Sequence, residues 1–209
     1  IKFCMYQLNT FVMYKPSIEI LKKALLKKGY QLKTKTYELN IIGIRNDNSK
    51  PNSFDDTLCV LFKDEYGDET LLCFSCTTDP GLYWLKHPMN IKGCAIMKEG
   101  HYPNVYKLGL HRGYKALEQI GKICFVRDND KDDELDFKDG YEINEVIKAN
   151  IHHAALPENS TIVERWSAGC QVINKGWNEF IELFQKSKLI TEQNRFSYTL
   201  ININDIKHA

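Results

Sequence analysis

Hydrophobic positions recur at helical spacing in two stretches of this chain, one near each end. In "SIEILKKALLKKGY", Ile18, Leu21, Leu25 and Leu26 share a stripe, Ser17 stands as N-cap after Pro16, and Gly29 supplies the stop. The spacing predicts an amphipathic helix with its lysines in solvent. A second stripe, Trp177, Phe180, Ile181 and Phe184 in "GWNEFIELFQKSK", predicts another helix.

Between them the period shortens. "YELNIIGIR" is followed by the polar loop "NDNSKPNSFDD", and "TLCVLFKDEYGDETLLCFSC" reads as a hairpin turning near Tyr66, Gly67 and Asp68. Asp79-Pro80-Gly81 is a turn signature. Further β-like runs lie in "KGCAIMKEGHYPNVYKLGLH", "KICFVRD", "KANIHH" and "CQVI", and "FSYTLINI" closes the chain as a strand. No internal repeat or low-complexity segment interrupts them. The expected fold class is mainly β (α+β) with peripheral helices, arranged as an N-terminal segment, 1–36, carrying the first helix, and one domain, 37–209.

Composition narrows the partners. A chain of 209 residues with 43% hydrophobic and 26% charged positions suits one main globular domain. A net charge of +1, from 28 basic and 27 acidic residues, gives no electrostatic footprint for nucleic acid. No apolar run reaches the length of a membrane span, and "IKFCMYQLNTFVMY" lacks a basic lead into a long apolar stretch. The chain starts at Ile1, so localisation stays open.

The seven cysteines, at 4, 59, 73, 76, 94, 124 and 170, lack the paired spacing of a zinc ribbon. The one Cys-x-x-Cys, Cys73 to Cys76, falls in a predicted strand, where three steps separate the Cα atoms by roughly 10 Å and exclude a bridge. Six of the seven read as small core hydrophobes. Cys170 is the exception.

It lies in "NIHHAALPENSTIVERWSAGCQVI", residues 150–173, after a Ser-Ala-Gly turn. A cysteine nucleophile needs a base, exposure at a bend and donors for an oxyanion. Gly169 permits close approach of backbone to ligand, the amides of Gly169 and Cys170 are candidate donors, and His152 or His153 is the candidate base.

Hydrophobic-His, a spacer, then Ser-x-Gly-Cys resembles the signature of the L,D-transpeptidase catalytic domain, the YkuD-like family, whose usual closing motif is Ser-His-Gly-Cys. Ile151-His152 is similar to its catalytic histidine at a strand end, Ser167 to Cys170 to its nucleophile turn, and "EGHY", Glu99 to Tyr102, to its Gly-x-Tyr element bordering the cleft. The resemblance spans approximately residues 92–184. Ala168 stands where the motif has histidine, Val172 where arginine is common, and the proline usually found before the Gly-x-Tyr element is missing.

The resemblance implies an L,D-transpeptidase-like β-sandwich acting on peptidoglycan stem peptides. Cys170, as thiolate, attacks the carbonyl of an L-centre bonded to a D-residue, and His152 moves the proton. His153 contributes its carbonyl to orient His152, and Ser167 holds the turn. An amine acceptor makes a cross-link, and water makes a carboxypeptidase or endopeptidase. A non-catalytic wall-binding module that retains the fold is the competing reading. Tyr102, His111, Arg112 and Arg165 are the expected substrate contacts, the arginines as clamps for a stem carboxylate.

No metal or cofactor is expected. "RDNDKDDELDFKDG" partly follows a calcium-loop order from Asp128, but its sixth position is Asp133 where glycine is required and its twelfth is Asp139 where glutamate is. It reads as a solvated acidic loop.

Overall fold

The computed structural model describes residues 13–47, 51–137, 140–154 and 160–209. Cys4 and Asp139 lie outside them. Among the described residues, eleven strands form two sheets. The strands are β1 (Asn40–Arg45), β2 (Asp56–Lys63), β3 (Glu69–Thr77), β4 (Cys94–Met97), β5 (Gly100–His111), β6 (Tyr114–Gln119), β7 (Ile123–Asp128), β8 (Tyr141–Glu145), β9 (Ile151–His153), β10 (Gln171–Ile173) and β11 (Phe196–Asn202). Four helices accompany them, α1 (Ile18–Lys27), α2 (Leu82–Lys86), α3 (Trp177–Thr191) and α4 (Ile203–Lys207).

The fold is mainly β, as its pattern predicts, but the large sheet closes on itself. Its order β1-β11-β5-β6-β9-β10-β3-β2 is a barrel, and β4-β7-β8 form a separate small sheet. The expected sandwich is corrected at this point. Parallel pairing of β1 with β11, from Ile41 opposite Tyr198 to Arg45 opposite Asn202, joins the first strand to the last and leaves the large sheet no open edge.

Side-chain alternation builds the core. On β2, Leu58, Val60 and Phe62 join one cluster with Ile41, Tyr198 and Leu200, while Cys59 and Leu61 face the other way with Ile42, Ile44 and Ile201. The second set is covered by α1 through Leu21, Ala24 and Leu25. Ser17 caps this helix by accepting from the Ile20 amide at 3.2 Å. Leu26, expected on the buried stripe, is 60% exposed.

The 37–209 unit contains all eleven strands, and its first fifty residues supply β1, β2 and β3 to the barrel. α3 adds Trp177, Phe180 and Phe184 to the main cluster, which also takes in Ala95, Met97 and Phe125 of the small sheet. Cys59 and Cys73 face each other across β2 and β3 with sulfurs 3.2 Å apart, and Cys76 is buried in the main cluster. Among the described residues no helix is long and apolar enough to cross a membrane.

Candidate active site

Parallel pairing of β9 with β10 sets Gln171 beside Ile151 and Val172 beside His152. Cys170, one residue before β10, therefore sits alongside Asn150. Ile151 and Ile173 point into the main core, so His152 and Val172 occupy the opposite face. The β5–β6 hairpin reaches the same place. Its tip residues Arg112 and Gly113 both have positive φ, 48° and 90°, the backbone of a tight hairpin turn, and His111 and Tyr114 flank it as a cross-strand pair.

One donor atom each from His111, His152 and Cys170 lies within 4.8 Å of the others. The two imidazoles stack nearly parallel, centroids 4.1 Å apart at 7°. Hydrogen bonds assign their protons. His152 Nδ1 is 2.8 Å from the His153 carbonyl, which can only accept, so Nδ1 carries the proton and Nε2 holds the lone pair. That Nε2 is buried with no partner among the described residues.

His111 is set the opposite way. Asn150 Oδ1 accepts from the Gln119 amide at 2.9 Å, so its Nδ2 is the group facing His111 Nδ1 at 3.1 Å, and it donates. The His111 proton therefore sits on Nε2. Gln119 fixes Asn150 in turn, its Oε1 accepting from Ile147 and Ala149 at 3.1 and 2.9 Å. Tyr114 Oη, 3.2 Å from His152 Nδ1–H, can only accept there and keeps its own proton.

The resting pair is uncharged. Burial holds His152 down at about 3, with His111, His153 and Arg112 adding to the effect against the His153 carbonyl. Burial also lifts the Cys170 thiol to about 11, against the Asn150 backbone and the Arg112 charge. The thiolate expected from sequence is thus corrected to a thiol, whose Sγ lies 3.8 Å from the Lys148 carbonyl, in a cluster with a neutral imidazole. Tyr114, raised to about 12 chiefly by burial, stays protonated.

The nucleophile turn is tightly braced. Ser167 Oγ donates to the Cys170 carbonyl at 2.7 Å and accepts from the Gly169 amide at 3.2 Å, so that amide serves the turn. Gly169 has φ of 124°, and a Cβ there would meet the Ala95 carbonyl at 2.8 Å. Residues before position 92 also take part. The Gly81 amide donates to the Ser167 carbonyl at 2.9 Å, and Gln171 Nε2 donates to the Thr78 carbonyl at 3.3 Å.

Of the remaining expected contacts, Arg112 is exposed at the hairpin tip beside the thiol. Arg165 stacks its guanidinium on Tyr83, 3.8 Å from the ring centroid, to one side of the turn. The His153 ring lies between Tyr114 and Trp177, with centroids 4.4 and 5.3 Å away. Tyr102 is not brought to the site. It is buried near the far end of β5, about 30 Å of strand from His111, with its hydroxyl donating to the Lys98 carbonyl at 2.6 Å.

Sequence reasoning missed Tyr114 and Asn150. An asparagine inside the predicted strand "KANIHH", two residues before His152, was the available signal, because an amide in a buried strand must find partners.

Two histidines and a cysteine are also a donor set for zinc. Here the rings stack face to face, and the Asn150 amide occupies His111 Nδ1, so the protonated Nε2 offers a metal no lone pair. A surface concavity runs along α1, lined by Ile18, Lys22, Leu26 and Glu69, away from this chemistry. No family model, curated protein or solved structure matches the chain.

Proposed function

We propose that this protein is a cysteine-dependent enzyme of L,D-transpeptidase-like type that acts on the L,D bond of peptidoglycan stem peptides through a Cys170 thioester. The observation that carries the reading is the buried, unpartnered Nε2 lone pair of His152 in the cluster with Cys170. The Ser-x-Gly-Cys turn and the strand-end histidine supply the substrate class by resemblance.

The proton moves with the attack. As sulfur bonds to the carbonyl carbon of the L-centre, the thiol proton passes to His152 Nε2, and the carbonyl electron pair moves onto oxygen. Collapse of that oxyanion expels the D-residue amine, which takes the proton back from His152. A thioester remains. An incoming amine resolves it as a cross-link, and water resolves it as a carboxypeptidase or endopeptidase does. His111 Nε2–H and the Tyr114 hydroxyl are the side-chain donors placed to face developing negative charge, and Arg112 offers a cation for a stem carboxylate.

A non-catalytic wall-binding module is the second reading. The uncharged resting pair and the missing ring at Ala168 favour it.

Mass spectrometry of muropeptides with tetrapeptide and pentapeptide stems, incubated with the intact chain and with Cys170→Ala, tests the proposal. Dimers, or loss of a terminal D-residue, made only by the intact thiol support it and separate amine from water as acceptor. Unchanged muropeptides with both proteins, alongside binding to whole sacculi, leave the second reading.

A further inference from the structure

β7 ends on an aspartate whose side chain is sealed inside the protein. Asp128 is 1% exposed, its Oδ2 accepts from the Asp136 amide at 3.1 Å, and its Oδ1 is buried with no hydrogen-bond partner among the described residues. A buried carboxylate oxygen left unpaired is costly, and structures retain one only with a reason.

The surroundings add negative charge. One carboxylate oxygen each from Asp128, Asp130 and Asp136 lies within 4.8 Å of the others. Burial, then these neighbours and Asp132, pushes the Asp128 carboxyl up to about 6. Two basic residues of the neighbourhood make contacts of their own. Arg127 donates to the Gly93 carbonyl at 3.1 Å, and Lys86 pairs with Asp133 at 2.5 Å.

We propose that Asp128, Asp130 and Asp136 bind a hard divalent cation of the calcium class, which ties the β7–β8 connection to the end of β7. An all-oxygen set of three carboxylates on a loop suits calcium, which accepts many oxygens in flexible geometry, better than magnesium, which holds its waters in a strict octahedron. The sequence reading set a metal aside because the spacing misses a glycine at Asp133. Spacing cannot reveal that Asp128 is buried.

The site bears on the nucleophile turn through two residues. Asp128 pairs with Cys94 across β4 and β7, and the next residue, Ala95, places its carbonyl where a Cβ on Gly169 would fall. A bound ion braces the strand behind that turn. The inference stands whether or not the thiol is catalytic.

The test uses the full chain, stripped with chelator and titrated with calcium chloride or magnesium chloride, followed by calorimetry and thermal melting. Calcium is expected to bind one to one with a submillimolar Kd and, at a hundredfold excess over Kd, to raise Tm by roughly 8 °C. Magnesium is expected to bind at least tenfold more weakly. Asp130 is exposed, so Asp130→Asn should fold normally and weaken calcium binding more than tenfold. Asp128→Asn should melt no lower than the metal-free wild type and gain nothing from calcium. Absence of heat and of any Tm shift at 10 mM calcium (a level about tenfold above the weakest natural sites) overturns the proposal. So does a calcium response that survives in Asp130→Asn, or an equal response to magnesium.

Discussion

Asp56 and His152 are equally buried, each about 1% exposed. Asp56 has its bonds filled. Its Oδ1 accepts from the Asn46 amide at 2.8 Å, and its Oδ2 accepts from both the amide and the hydroxyl of Thr78 at 2.7 Å. Thr78 in turn accepts from Arg45 Nε and Nη2 at 3.1 Å, and Arg45 pairs with Asp79 at 3.0 Å. His152 is closed on one nitrogen only. The contrast is between Asp56, whose burial is offset by filled hydrogen bonds, and His152, where one lone pair is open and neutral; Asp79 stands between them, held by the Arg45 charge while its Oδ1 has no hydrogen-bond partner among the described residues.

The largest effect is expected on the scaffold side. Arg45→Met leaves Asp79 and Asp56 without their buried counter-charge and should cost about 3–5 kcal/mol in urea unfolding. A loss under about 1 kcal/mol would show that the carboxylates simply take up protons.

On the reactive side, His152→Gln should keep stability within about 1.5 kcal/mol while turnover of stem peptides falls about a thousandfold. Equal losses in both measurements would make His152 one more scaffold residue. Between the two regions, Gly169→Ala forces a side chain into left-handed backbone and against the Ala95 carbonyl, at a cost of about 2 kcal/mol. Unchanged unfolding midpoints would mean that the turn tolerates displacement.

The smallest effect is in the pH profile of stability, because the two regions oppose each other. His152 lies at about 3 when folded against 6.5 when free, so between those values the unfolded chain binds the extra proton and stability rises with pH. Burial lifts Asp79 to about 7, against the Arg45 charge and with Asp56 and Asp55 adding. Between 3.8 and about 7 the folded chain therefore holds the extra proton, and stability falls as pH rises. Urea midpoints across pH should lose the rising contribution in His152→Gln, and Asp79→Asn should lose the part of the falling limb that lies between about 6, where Asp128 titrates, and about 7. A falling limb that still reaches about 7 in Asp79→Asn assigns that proton to another group.

Much of the local structure was legible in the residues. Ser17, the Leu21 and Leu25 spacing and Gly29 specify α1, the aromatic stripe from Trp177 specifies α3, and Gly67 marks the β2–β3 turn, because caps, periodicity and positive φ act over a few residues. β6 and β8 were missed, since "YKALEQ" and "YEINE" are short and carry little apolar contrast. The Ser-Ala-Gly-Cys turn nominated Cys170, and the strand end nominated His152. Closure of the barrel through β1 and β11, the stacking of His111 on His152 and the burial of Asp128 came only with the tertiary structure. Each joins residues far apart along the chain, and a pattern that repeats every two or four residues carries no information about which distant segment will arrive, or how much water it will displace.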